Sequence, residues 1–458
     1  MHSDGRARRS VDFRSAWAAL LGIQFSVRVL DLALVTVGVS DAVLVLAAAA
    51  AIRRQEWRHW LELRKDPVSR WIARFSAVLL TGLLVSRLRL GHWSWWGLIN
   101  RGLGLPVLLC IYCLFATVAK QKVWFYLRWF VIAGSLLNLP ALAAVAVRYG
   151  FDRGSVFLFW YSSLRLGGLM HHPNAYGGYL AALLAVQLSA LAFGKRIFRR
   201  QWIEWVNVAA LLLAAAFTIS RSAWVTILGG ATTVLVLAAS GLKTTPRRSR
   251  DLVPSAAAAV AALSLLLIAG GGGMAAVMRD GVTAHTTIDS SSIYYPHGSA
   301  SFTEFLRIAR DPAGWGDRLA IDRTALELYA ASTSRVVFGL GLGAFEEMSA
   351  STRLQTDVTI HNSYLWALVD LGPLGALCLL GIFATSLRRL WTAFRSGAGD
   401  GPALAALLAA LMTCCTWGLS NDGIFQRQLW FFLGLSVAAT VSARRRPEST
   451  VTAAEGVE

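Results

Sequence analysis

Apolar runs long enough to cross a lipid bilayer recur along this chain, separated mostly by short polar turns and once by a long polar stretch. A helical span needs about 20 predominantly apolar residues. By that measure the pattern predicts about twelve spans, over residues 16–36, 37–52, 69–86, 97–118, 123–147, 174–193, 203–219, 222–240, 254–277, 362–386, 402–420 and 427–442. Arg28 and Asp31 interrupt the first run and the second is short, so a tilted or re-entrant element fits there as well as a pair of spans. Residues 1–277 then form an N-terminal bundle of about nine spans, 278–360 one large loop, 361–442 about three further spans and 443–458 a tail. The expected fold is an all-α polytopic membrane protein, because a helix satisfies its backbone hydrogen bonds internally where there is no water to do so.

Composition agrees with the pattern. Of 458 residues, 55% are hydrophobic and 15% charged, with mean hydropathy +0.52, which is far more apolar surface than one soluble core requires. Charge then orients the bundle. If the spans alternate, the arm carrying Arg6, Arg8, Arg9 and Arg14, the segment Arg53 to Arg70, Lys120 with Lys122, Lys195 to Arg200, Lys243 to Arg250, Arg388 to Arg395 and Arg444 to Arg446 all fall on one side. The positive-inside rule makes that side the cytoplasm. Both termini are then expected inside and the long loop outside. The net charge of +18 follows from anchoring against anionic membrane lipid and calls for no nucleic-acid partner. No short apolar run with a small-residue cleavage site follows the basic arm, so no cleavable signal peptide is expected. Cys110, Cys113, Cys378, Cys414 and Cys415 lie inside predicted spans, which excludes an exported disulfide framework. The pair Cys110-Ile-Tyr-Cys113 lacks a second pair and an adjacent histidine, so it reads as packing and not as a metal or redox site.

Polar chemistry collects on the expected outer face. Within the long loop, Asp317 to Ala330 reads as an amphipathic helix with Asp317 as N-cap, which puts Arg318 in the first turn beside unpaired backbone N–H groups. Such a helix start suits a phosphate; the alternative is an i,i+4 pair of Arg318 with Asp322 on a solvated helix. Phe338-Gly-Leu-Gly-Leu-Gly-Ala-Phe345 follows. A dinucleotide site would need a strand before it and a βαβ context, so these glycines are expected to let the backbone turn tightly and lie close to the membrane roof. The loop ends at Thr359-Ile-His361-Asn362-Ser363-Tyr-Leu365, where a histidine and an asparagine meet the next span. Trp93, Trp95 and Trp96 cluster at an outer boundary as an interfacial belt.

The loop helix with its arginine, the glycine turn, the His-Asn-Ser-Tyr-Leu helix start and Asp370-Leu-Gly-Pro-Leu-Gly375 resemble, in order, the signature region of the O-antigen ligase and polymerase superfamily. His172-Pro-Asn174-Ala-Tyr176 and Ile219-Ser-Arg221-Ser222 fit it as well, so the resemblance runs from about residue 170 to about 385. It implies a glycosyltransferase of the membrane-embedded GT-C-like class, with Arg221, Arg318 and His361 as its active constellation. It also implies a polyprenyl-diphosphate-linked glycan as donor, a glycan or lipid hydroxyl as acceptor, and neither a metal nor another cofactor. The chain departs from the pattern in carrying Asp322 where an aromatic residue is usual, which leaves Arg318 and Arg323 both open as the substrate-facing arginine.

Arginine suits the departing diphosphate because its planar fork stays charged and binds phosphate oxygens bidentately. Arg221, at a membrane boundary, is a charge with a purpose in preference to a snorkelling side chain. His361 has two roles open to it: a neutral imidazole taking the acceptor's proton, or an imidazolium on the diphosphate. Arg323, Arg165, His172, Asn174, Asn362 and Arg427 complete the substrate-binding candidates, with structural roles weighed beside them: Asn362 as a helix cap, and Asn421, Asp422 and Arg427 as the closing outer turn. His171-His172 lacks the partner a metal site would need. Within the superfamily a ligase-like enzyme is expected, with a repeat-unit polymerase as the alternative. The rival class is a lipid-linked glycan transporter, which typically carries internal repeats and midplane charges, whereas Arg28, Asp31, Arg101 and Arg128 read as scattered.

Overall fold

The computed structural model describes residues 28–32, 35–38, 46, 49, 53, 57–151, 165–170, 172–240, 258–261, 313–350, 359–397 and 399–441. The helices are α1 (Trp57–Leu63), α2 (Pro67–Leu90), a π-helical turn (Gly97–Gly102) running into α3 (Gly104–Ala116), α4 (Val123–Phe151), α5 (Pro173–Ala192), α6 (Gln201–Phe217), α7 (Arg221–Ala239), α8 (Ala313–Ala330), α9 (Thr333–Phe338), α10 (Ala344–Ala350), α11 (Ser363–Arg395), α12 (Gly401–Gly418) and α13 (Arg427–Val441). Among the described residues, seven helical stretches are long and apolar enough to cross a membrane, and the chain is a helical polytopic membrane protein. They match seven expected spans; α6 and α13, of 17 and 15 residues, occupy two more. The span expected over 254–277 lies outside the described residues except for 258–261, as do the tail 443–458 and most of the span over 37–52.

One expectation is corrected. Residues of the first predicted span and the first two of the second form an antiparallel strand pair, β1 (Arg28–Leu32) with β2 (Val35–Gly38), pairing Leu30 with Val37, Asp31 with Thr36 and Leu32 with Val35. Val29, Val35, Thr36 and Val37 favour a pleated backbone, and Arg28 with Asp31 would burden a membrane helix.

The bundle is built around α5. Its sequence is apolar on every face, the pattern of a helix with no water-facing side, and 94% of its span is buried against α6, α7 and α12. Lipid tails are as apolar as leucine, so close packing between small residues holds membrane helices together. Gly178 of α5 lies directly under the Trp417 indole of α12, and Gly230 of α7 lies against Thr413 of α12 and Ala185 of α5.

Among the described residues, the basic segments gather at one end of this bundle. Asp66 pairs with Arg389, Lys195 Nζ lies 3.0 Å from Asp400 Oδ2, and Arg128 Nε donates to the Ile197 carbonyl. Helix directions put the starts of α5, α7 and α11 at the opposite end, so the candidate site and the basic segments are separated by the length of the bundle.

The glycine string docks the long loop onto that opposite end. Gly372 breaks α11 with φ 72°, and Pro373 has no N–H to offer the Val369 carbonyl. Leu340 N–H donates to that carbonyl at 2.7 Å and Gly341 N–H to the carbonyl of Asp370 at 2.9 Å, while Leu342 N–H donates to Gly82 of α2. Gly341 has φ +102°, and a Cβ there would lie 2.4 Å from the Ser86 backbone nitrogen. The glycines therefore serve a close backbone approach, as the sequence predicts, and the Gly-Pro break supplies the carbonyls that receive them.

Candidate functional site

Three turns meet at this end. The first precedes α7. Ile219 there has φ 49°, the one positive φ outside glycine among the described residues. For a β-branched residue that conformation costs roughly 1–2 kcal/mol, and such strain collects at functional sites. Ser220 caps α7, its Oγ accepting from Ala223 N–H at 3.3 Å, so that Arg221 opens the helix. The strained turn is clasped to α5 by Asn174, whose Oδ1 accepts from Arg165 Nη2 and from Ser220 Oγ, both at 2.9 Å. Arg165 Nε donates to the Thr218 carbonyl. Arg165 and Asn174 thus position the Arg221 turn. His172 caps α5, its Nδ1 accepting from Ala175 N–H at 3.4 Å, which fixes that nitrogen as unprotonated.

The second element is α8. It begins at Ala313, four residues before the expected cap, because Asp311-Pro312 is itself a helix-start signal. Arg318 therefore lies in the second turn, away from the unpaired N–H groups of the helix start, and the expected backbone phosphate cradle is corrected. Its Nη1 instead reaches across to the Ser420 carbonyl at 3.0 Å. Arg323 points to solvent and pairs with Glu327 at 2.8 Å, the two side chains 65% and 63% exposed. Of the two arginines, Arg318 faces the bundle.

The third turn runs from His361 into α11. Asn362 is the cap: its Oδ1 accepts from Tyr364 N–H at 3.0 Å and Leu365 N–H at 3.1 Å. Ser363 Oγ donates to the Asn421 carbonyl at 2.9 Å and accepts from Gly423 N–H at 2.8 Å. His361 is thereby held beside the Ser420–Gly423 turn that Arg318 also touches. Arg427 opens α13 just beyond it, half-buried.

Electrostatics ties these groups into one site. Burial, then the charges of Arg318, His172 and Arg101, pushes His361 down to about 4. Burial, then Arg165 and Arg318, pushes His172 down to about 4. Burial also lowers Arg318, with Asp322 opposing the shift and Arg221 adding to it. Arg318 thus lies within electrostatic range of Arg221, His172 and His361. Both imidazoles are neutral near pH 7 and the guanidiniums stay charged, an arrangement suited to hold an anion and accept a proton. Among the described residues, no three His, Cys, Asp or Glu side chains are placed to hold a metal ion.

In the sequence Arg101 is one of several scattered charges. In the structure it is buried at 6% exposure and paired with Asp422. The available signal was its match to Asp422, the acid of the last outer turn. His171 lies outside the described residues. No protein-family model and no curated protein matches this chain.

Proposed function

We propose that the protein is a membrane glycosyltransferase that moves a glycan from a polyprenyl-diphosphate carrier to an acceptor hydroxyl at the outer face of a bacterial cytoplasmic membrane. The observation that carries this reading is the single cluster of Arg318, Arg221, His172 and His361, at the end of the bundle opposite the basic segments. On this reading about twelve spans cross the membrane with both termini in the cytoplasm, following the positive-inside rule.

In the transfer, the acceptor oxygen attacks the anomeric carbon as the bond from that carbon to the diphosphate oxygen breaks. Arg318 and Arg221 meet the charge that develops on the leaving diphosphate; stabilisation of this kind is usually the largest catalytic term. His361, neutral in this site, takes the proton from the attacking hydroxyl. Its depressed proton affinity favours the base role over the imidazolium role.

The test is reconstitution. Purified protein in liposomes with a polyprenyl-diphosphate-linked glycan should transfer it to a lipid A-core acceptor, the ligase outcome, or to a second carrier-linked repeat, the polymerase outcome. Movement of the donor across the bilayer without any transfer would overturn the enzyme reading in favour of a transporter.

A further inference from the structure

Arg101 has no place in the constellation described above, yet it acts on His361 and shares with Arg318 the turn that carries Asp422. It lies in the π-helical turn before α3, and its side chain is only 7% exposed. Its guanidinium carbon lies 4.3 Å from the centre of the Phe425 ring and 5.4 Å from that of Trp366. Those rings themselves meet edge-to-face at 5.1 Å. Trp366 is in the first turns of α11, where its N–H donates to the Asn362 carbonyl, and Phe425 ends the turn that follows Asp422.

The turn that Asp422 belongs to is a junction. Ser420 accepts from Arg318, Asn421 accepts from Ser363, and Gly423 donates to Ser363. The Ile424 carbonyl accepts from Trp430 Nε1 at 2.7 Å. A polar contact between this turn and the N-terminal half of the bundle is the ion pair of Asp422 with Arg101. A buried pair of this kind adds little net stability compared with apolar packing, but losing one partner is costly. Such pairs are best retained where they fix a register.

We infer that Arg101, acting through Asp422, is a positioning residue that locks the Ser420–Gly423 turn and so sets where Arg318 and His361 stand relative to each other. The inference deepens the glycosyltransferase reading and rests on it for its catalytic consequence, although the lock itself is a matter of geometry. Arg101 also acts by charge. Glu346 and Asp370, both buried, feel its positive field, and so does His361, whose proton affinity it lowers together with Arg318 and His172. The charged and titratable groups that bear on His361 are therefore Arg318 on α8, His172 before α5 and Arg101 before α3, with Asp422 as the counter-charge of Arg101.

Those two roles give the pair opposite signatures at His361. Removing the positive charge should raise its proton affinity; removing the Asp422 charge leaves Arg101 uncompensated and should lower it further. Simple loosening of the fold would admit water and raise it in both. The experiment is NMR of histidine-labelled protein in detergent, with His361 assigned by His361→Gln and spectra followed from about pH 7 to about pH 2.5, on both sides of its lowered midpoint.

For Arg101→Gln the His361 midpoint is expected to rise by at least about half a unit. For Asp422→Asn it is expected to stay or fall. Equal rises in both variants, or no change in Arg101→Gln, would overturn the inference. Should Arg101→Gln not fold, Arg101→Lys decides in its place. That variant keeps charge without the fork, so the midpoint should hold while transfer falls at least about ten-fold in kcat with KM little changed. A wild-type rate in Arg101→Lys would overturn the lock. Absence of transfer by the wild-type protein would instead sink the glycosyltransferase reading and leave the titration result standing.

Discussion

Arg318 and Ser420 are 102 residues apart in sequence and meet at 3.0 Å, the guanidinium Nη1 donating to the backbone carbonyl. This contact joins α8 to the Ser420–Gly423 turn. It uses one of the five N–H donors of an arginine. The partner is a main-chain oxygen, so the contact is insensitive to the side chain at 420, and Ser420→Ala should preserve it.

The arrangement separates the two loop arginines by function. Arg318→Lys keeps a positive charge but loses the planar fork, and transfer should fall about 100-fold while the protein still inserts and folds. Arg323→Ala removes only an exposed pair with Glu327, worth about 0–0.5 kcal/mol, so transfer should stay within about two-fold of wild type. Steady-state rates of the two variants in one reconstituted preparation check this; equal losses would mean that Arg318 has no special role.

Docking of the loop should depend on one glycine far more than on another of similar backbone conformation. At Gly91, φ is +77° and an added Cβ meets nothing within 4 Å, whereas at Gly341, φ is +102° and the Cβ would lie 2.4 Å from a backbone nitrogen. Gly91→Ala should cost only the conformational penalty of about 1–2 kcal/mol. Gly341→Ala must push the loop off α2, so protease cleavage within 313–350 should accelerate in that variant alone.

Much of this was legible in the sequence because bilayer physics writes a long, plain signal: apolar runs matched α2, the π-helical turn with α3, α4, α5, α7 and α12 to within a few residues, and α11 at its start, although that helix continues past the apolar run to Arg395. The first run misled because the interruption at Arg28 and Asp31 fits a tilted or re-entrant helix as well as a strand, and only the β-branched pattern around Val35 to Val37 favours the strand. At the site, His361, Arg318, Arg221 and His172 could be named as candidates from residue type and context. Their convergence could not, since it depends on tertiary contacts such as that of Arg318 with Ser420. Asn174 and Asn362 were named as substrate candidates, yet the structure engages their side-chain oxygens in a clasp and a helix cap. Arg101 was overlooked because its partner Asp422 is more than 300 residues away.

The two half-buried histidines set a pH dependence of stability. Each has an ordinary value of 6.5 and is pushed down to about 4 in the folded protein. Between those limits the unfolded chain binds more protons, so stability is full above about pH 6.5 and is lost as pH falls towards about 4. Thermal unfolding in detergent should show the midpoint dropping over that interval, and His172→Gln, by removing one of the two groups, should flatten the slope. An unchanged slope would mean that His172 is not held neutral.

His361 itself separates chemistry from binding. If it takes the proton of the attacking hydroxyl, His361→Ala should reduce transfer by about 10²–10⁴-fold, the usual range for a positioned general base. Donor affinity should stay near wild type, because the lost interaction is made mainly in the transition state. The pH profiles carry a second signature. In the free protein Arg318 helps to hold His361 near 4, so the acid limb of kcat/KM should fall near that value. A bound diphosphate offsets the charge of Arg318, so the acid limb of kcat should lie at higher pH than that of kcat/KM. Donor binding measured directly, by displacement of a fluorescent polyprenyl-diphosphate analogue, discriminates the two roles. Parallel loss of binding and transfer in His361→Ala would assign the imidazole to the diphosphate, and full retention of transfer would remove it from the reaction.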